Sequence, residues 1–329
     1  MIRLTRRLAG LVSACALAIS LGAALTPAAA QTYPNRPVRI TVPFGAGGIA
    51  DITVRIVAEK LSEKLGQQFF VENMPGAGGI TAARAAIQGG ADGYTLALLS
   101  NGTAISVPLF KKLPFDPVKD FEPISSLGYF DFLLLTSGTS KTKSVQELLT
   151  FARANPGALN VGTVNVGSSQ NLSAELFKSM SGITFTIIPF KTTPDLVLAT
   201  SRGDVDVMID SYASAKAMMS DNRVRAIGSS GLTRSPVTPD LATVDESGVK
   251  GFEVTSWNAL FAPAGTPKEV IGTLNKAINE VMVMPDVKKK LLDLGIEAKG
   301  STPQELGDRL KSDIAKWSAV IEKAGIEKQ

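Results

Sequence analysis

The sequence predicts an α/β protein of two lobes built on mainly parallel sheets. Three observations carry this. Strand-like and helix-like segments alternate along the chain, the pattern of βαβ units. Glycine-rich turns lead straight from strand into helix. A proline-rich stretch, residues 113–123, separates one such series from a second.

The first thirty residues read as a cleaved secretory signal peptide. Arg3, Arg6 and Arg7 form its positive start, an apolar run follows, and Ala28-Ala29-Ala30 supplies a small-residue cleavage site. The run is too short and alanine-rich for a membrane span. Thr5-Arg6-Arg7 faintly resembles a twin-arginine signal, and the general secretory route is preferred. The single cysteine, Cys15, lies in this leader; Val12-Ser13-Ala14-Cys15 looks like a lipoprotein site, but the non-lipidated reading is preferred. The mature chain then has no cysteine and no disulfide. The leader holds three arginines and no acid, so its removal lowers the net charge from +4 to +1. That balance gives no support to nucleic-acid binding. About 300 residues remain, enough for two lobes.

Residues 38–42 read as a strand, 51–65 as a helix and 69–72 as a strand. Pro75-Gly76-Ala77-Gly78-Gly79 opens a helix over 81–88, and 95–99 is a third strand. In the second series, 132–136 is a strand and 144–154 a helix, with Ser144 and Glu147 spaced as a capping box. Residues 159–163 form a strand, and Gly167-Ser168-Ser169-Gln170 enters a helix over 172–180. A strand (184–189), a helix (195–201) and strands at 205–209 and 224–228 complete it. Residues 254–261 are extended, and three helical stretches run to 326, packing back on the first lobe. The chain thus crosses between lobes twice, near Leu127 and Glu253.

There is no histidine, so no Ser–His–Asp triad, Cys–His pair or histidine-bound metal is available. No G-x-S-x-G elbow is present. The expectation is therefore no catalytic residue, no metal and no cofactor. The site candidates are loops. Phe44, Gly45, Ala46, Gly47, Gly48 and Ile49 lie where a strand turns into a helix, whose first N–H groups lack partners and favour an anion. No Gly-Lys-Ser/Thr closes this loop, so it is not a phosphate-binding P-loop. Asp51 either stabilises the helix dipole or touches ligand. Gly78 belongs to a second such loop. Gly167, Ser168, Ser169 and Gln170 offer hydroxyls and N–H groups at a third helix start, with N-capping as their alternative role. Asn101 and Thr103 follow a strand end, where open α/β sheets bind ligands; turn chemistry is the alternative. Asp210 sits after another strand end, and Lys191 either faces a cleft or is solvated. Helix starts with few charged groups suit a carboxylate held by dipoles and hydroxyls.

An ordered series of motifs then resembles one family along essentially the whole mature chain. It begins at Tyr33-Pro34-Asn35-Arg36-Pro37-Val38-Arg39-Ile40, and passes through Val42-Pro43-Phe44, Gly47-Gly48, Asp51, Val71-Glu72-Asn73 and the loop at Pro75. Asp92-Gly93-Tyr94-Thr95-Leu96 follows, and the match is densest from Lys112-Leu113-Pro114-Phe115-Asp116-Pro117 to Phe121. Ser169-Gln170, Glu175-Leu176-Phe177-Lys178, Arg234-Ser235-Pro236 and the run from Trp257 through Phe261-Ala262-Pro263-Ala264-Gly265-Thr266-Pro267 complete it. The sequence resembles the Bug-type solute-binding proteins of the tripartite tricarboxylate transporter family. The resemblance implies a two-lobe Venus-flytrap fold, a periplasmic location, and delivery of a small carboxylate to membrane permease subunits. It implies a grip at Phe44 to Ile49 from the first lobe and at Gly167 to Gln170 with Asp210 from the second. Lobe 1 is then residues 31–127 and 254–329, and lobe 2 is 128–253.

The sequence departs from the family at Ala46 (usually proline), Ala50 (usually a hydroxyl residue), Thr192-Thr193 (usually two glycines) and Met74 (commonly arginine). Ile49, Ala50 and Met74 point to a less polar ligand body, an aliphatic or aromatic acid. The expected protein is a monomeric, non-enzymatic binder of a mono- or dicarboxylate that binds no nucleic acid. A sensor partner docking on a receptor, or an exported hydrolase, are the alternatives. Trp257, beside the second crossing, is expected to report ligand by fluorescence, and Trp317 to be silent.

Overall fold

A computed structural model describes residues 33–329. The readings of the leader, of Cys15 and of the export route fall outside the described residues.

The first series gives β1 (Val38–Val42), α1 (Ile49–Leu65), β2 (Phe69–Asn73), a single 3-10 turn (Ala77–Gly79), α2 (Ile80–Gln88) and β3 (Thr95–Ser100). Then follow α3 (Asn101–Leu109) and the long β4 (Phe121–Ser137). The second series gives α4 (Val145–Ala154), β5 (Leu159–Val164), α5 (Ser169–Ser181), β6 (Phe185–Phe190), α6 (Thr193–Arg202), β7 (Val207–Ser211), α7 (Tyr212–Ser220) and β8 (Val224–Ser229). The chain closes with β9 (Thr255–Pro263), α8 (Lys268–Met282), α9 (Pro285–Leu292) and α10 (Pro303–Ala324).

The two lobes share one strand. In the first, β2, β1 and β3 lie parallel, and β9 runs antiparallel between β3 and β4. In the second, β6, β5 and β7 are parallel, and β4 is antiparallel to both β7 and β8. β4 pairs with β9 from Phe121 to Asp131, then with β7 from Phe132 onward. The passage from one sheet to the other therefore occurs between two adjacent residues. The return path is clamped where Val254 N–H donates to Ser230 O, just before β9 begins. Both lobes contribute to one apolar cluster, which holds Trp257, Phe261 and Trp317 together with Leu172, Phe177 and Ile209.

Three elements differ from the sequence reading. Residues 121–131 are strand, although Pro123 reads as a breaker. There β4 pairs with β9 and bridges Glu297 only at Tyr129; Pro123 lies near the start of the strand, away from that bridge, where a missing N–H is tolerated. Turn chemistry is the alternative role of Asn101 and Thr103, yet residues 101–109 form α3 behind a capping box of Ser100 and Thr103. Residues 212–220 also form a helix, α7. Ser144 does cap α4 by accepting from Glu147 N–H, but the Glu147 carboxylate turns instead to Lys143 N–H at 2.6 Å, so the box is not closed.

Candidate functional site

The parallel strands of each lobe place their carboxyl ends at one sheet edge. In the first lobe, β1 ends before the loop Phe44, Gly45, Ala46, Gly47, Gly48, β2 ends before Gly78, and β3 ends at Ser100, before Asn101. In the second, β5 ends before Gly167, β6 before Lys191 and β7 at Asp210 and Ser211. Both edges adjoin the crossing: Ser100 pairs with Asn258 near the start of β9, and Ser211 pairs with Phe132. The candidate residues drawn from the sequence thus collect on two strand-end edges that meet at the crossing, where open α/β sheets bind ligands.

The first loop is exposed from Phe44 to Gly48, and the N-terminus of α1 has no side-chain cap. Gly47 holds φ +84°, which a β-branched residue adopts at a cost of about 1–2 kcal/mol. Ile49 is half-buried at the helix start. Asp51 is buried and wholly engaged. It accepts from Gly47 N–H (2.8 Å), Arg55 Nε (3.0 Å) and Asn73 Nδ2 (2.8 Å), and Asn73 also donates to Phe44 O. Burial raises its pKa, but the hydrogen bonds from Arg55, Gly47 and Asn73 outweigh that and hold it below the ordinary value. Asp51 shapes the loop through these bonds, and no side chain caps the start of α1. Gly78 lies against the Phe110 ring, which a Cβ there would approach to 3.0 Å.

In the second lobe Gly167 has φ +81°, and a Cβ would meet Leu109 of the first lobe at 2.7 Å. Its N–H donates to Asn171 Oδ1. Ser168 is the N-cap of α5, accepting from Asn171 N–H and donating to Val164 O. Gln170 Nε2 reaches Asp210 Oδ1 at 3.5 Å, and Thr193 Oγ1 donates to Asp210 Oδ2 at 3.3 Å. Burial pushes the Asp210 carboxyl above its ordinary pKa; hydrogen bonds from Ser211 N–H, Gln170 and Thr193 only partly offset this. Lys191 is exposed. Thr103 spends its hydroxyl on the cap of α3, accepting from Ser100 N–H.

The edges touch through side chains. Asn101 Nδ2 donates to Ser169 Oγ at 3.3 Å, first lobe to second. Behind it, Trp317 Nε1 of α10 donates to Asn101 Oδ1 at 2.8 Å. One turn earlier on α10, Asp313 accepts from Trp257 Nε1 at 2.7 Å and from Arg309. Both tryptophans are fully buried, and they differ in partner: Trp317 bonds the candidate residue Asn101, while Trp257 bonds Asp313 of α10. Asn258, paired with Ser100, is buried, and its Nδ2 has no hydrogen-bond partner among the described residues. A separate cavity of about 440 Å³ beside the crossing is lined by Tyr129, Asp131, Arg234, Lys299 and Arg309, and contains none of the candidate residues.

Sequence reasoning missed Asn73, Asn258 and Trp317. Asn73 stood in a motif that could have marked it. Nothing in the sequence joins Trp317 to Asn101, 216 positions away.

This geometry has known counterparts. Residues 53–326 match the model of the tripartite tricarboxylate transporter family receptor. The chain belongs to that receptor family. BugT of Bordetella pertussis is 30% identical over 317 residues, covering 96% of this chain and 97% of BugT. R. palustris Rpa4515, solved with adipate, is 32% identical at a TM-score of 0.78, covering 90% of this receptor and 99% of that chain. MatC (Rpa3494) from Rhodopseudomonas palustris, with bound malate, is 33% identical at a TM-score of 0.73, covering 88% and 100%. The receptor is thus of the Bug type, with the two-lobe architecture of periplasmic binding proteins. No helix among its described residues is long and apolar enough to cross a membrane.

Proposed function

We propose that this receptor captures a small mono- or dicarboxylic acid between its two lobes in the periplasm and delivers it, as a monomer, to a tripartite-type membrane permease. It binds without catalysing a reaction. The observation that carries the reading is the exposed, uncapped N-terminus of α1, shaped by buried Asp51, at a sheet edge that meets a second strand-end edge. Such a helix start offers N–H donors and a partial positive charge without a basic side chain. The adipate- and malate-bound relatives support the ligand class. The receptor role of the family supports the permease partner.

The reading assigns Phe44 to Ile49 and Asn101 to the first-lobe grip, and Ser168, Ser169, Gln170 and Asp210 to the second. It assigns residues 31–127 and 254–329 to one lobe and 128–253 to the other; the change of β4 partners supports two lobes, with the first crossing between Asp131 and Phe132 rather than at Leu127.

The test is a thermal-shift screen of mono- and dicarboxylates, adipate and malate first, followed by calorimetry. A ligand at a hundred times its Kd stabilises the native state by about 2.7 kcal/mol, which raises the midpoint. If no acid moves the midpoint while a neutral or cationic solute does, the carboxylate assignment is wrong.

A further inference from the structure

The Trp317–Asn101–Ser169 chain has a fixed direction. An indole N–H can only donate, so the group facing Trp317 at 2.8 Å must be the Asn101 carbonyl oxygen. The Asn101 amide nitrogen is thereby turned toward the second lobe, where it donates to Ser169 Oγ at 3.3 Å. Because Ser169 Oγ accepts that bond, its own proton is left to donate. The amide nitrogen also has a second hydrogen. The chain thus begins at a donor-only group buried in the first lobe and ends in unspent donors at the junction of the two edges.

Trp317 is fully buried and set by the packing of α10. Asp313 and Arg309, one and two turns earlier, tie the same helix to β9: Arg309 donates to Thr255 O and Asp313 accepts from Trp257. The indole therefore cannot turn away to release the amide.

We propose that Trp317 is a positioning residue of the ligand site: by holding Asn101 Oδ1 it commits the Asn101 amide and the Ser169 hydroxyl to donate, and so makes the cleft select hydrogen-bond acceptors such as a carboxylate over neutral groups that must also donate. This rests on the carboxylate reading above. In Trp317→Phe the amide is free to rotate by a half turn, presenting its oxygen to the cleft, and the selection weakens.

The experiment is calorimetry of adipate, malate and the panel acids, with adipamide as the neutral counterpart of adipate, on the mature protein. Trp317→Phe is expected to weaken acid binding about tenfold, the scale of one hydrogen bond to a charged group, and to narrow the acid-to-amide preference. In an Asn101→Ala background Trp317→Phe should add little, since its effect passes through Asn101; equal losses in both backgrounds mean a general packing role and overturn the proposal. Asn101→Asp keeps an acceptor for the indole but places negative charge at the cleft, and should abolish acid binding with Trp317 intact. Unaltered acid affinity there overturns the proposal even if Trp317→Phe does not fold. Wild-type protein that binds none of the acids overturns the carboxylate reading and this role with it. Acid binding by wild type that Trp317→Phe leaves unchanged overturns this role alone.

Discussion

Asp51 and Ser169 show how residue chemistry divides between building the proposed site and lining it. Asp51 sits in the first turn of a helix beside a glycine loop, yet its carboxylate is consumed by Gly47, Arg55 and Asn73. Asp51→Ala should cost about 3 kcal/mol in urea unfolding, because three donors lose a buried acceptor, and it should weaken ligand binding by loosening the loop. Its lowered pKa has a definite sign. The contribution is present above the unfolded value of 3.8 and is lost as pH falls through the lower folded value. Ser169, by contrast, ends a donor chain. Ser169→Ala should weaken acid binding by about 1–3 kcal/mol in calorimetry with little change in stability. Gly47→Val should do more damage to binding than Ser169→Ala, since it forces a β-branched residue to φ +84° in the exposed loop. Unchanged affinity in both variants would remove these loops from the site.

At the scale of elements, β4 decides the architecture. It was half legible: residues 132–136 read as a strand, while Pro123 and the serines hid the part that pairs with β9. The strand changes sheets beside Asp131, whose Oδ1 accepts from Thr255 Oγ1 at 2.9 Å, linking the two connecting strands. The carboxylate also presses on Gly231, where a Cβ would clash with it. Burial raises its pKa from 3.8 to about 6, with added repulsion from Glu253 and Glu297, partly opposed by Thr255 and Arg309. A raised acid binds its proton more tightly when folded, so its charge opposes folding above about pH 6 and ceases to do so as pH falls toward 4. Asp131→Asn should therefore stabilise the protein at pH 8 by roughly 1–3 kcal/mol and have almost no effect near pH 4. Urea titrations at both values test this; an equal effect at the two pH values would show that the charge is not the cause.

For the whole molecule, the functional question is how two lobes sharing one strand enclose a ligand. Loops from both edges contact one small molecule only when the edges approach, so ligand should shift the population toward the closed arrangement in proportion to its differential affinity. Small-angle scattering with saturating ligand should show a smaller radius of gyration. An unchanged radius, with binding shown independently, would mean a rigid, preformed pocket. Tryptophan emission gives a second view. The ligand-induced change should vanish in Trp317→Phe and persist in Trp257→Phe, because only Trp317 bonds a residue that bridges the edges.

The sequence by itself determined the α/β class, the glycine loops at the strand ends and most of the strands and helices near the site. These are local matters: the period of the apolar residues, turn chemistry and helix starts act over a few residues, and the motif series fixed the family. Only the tertiary structure decided which of the marked residues are spent on the scaffold and which remain to bind. Asp51 looks like Ser169 from its neighbours in sequence, and the two differ because of Asn73 and Asn101 in space, whereas Thr103 is spent locally on the capping box with Ser100. It also decided that one strand serves both sheets and that Trp317 reaches Asn101. Such pairings depend on packing between distant segments, and each hydrogen-bonding group is satisfied or left free only once that packing exists.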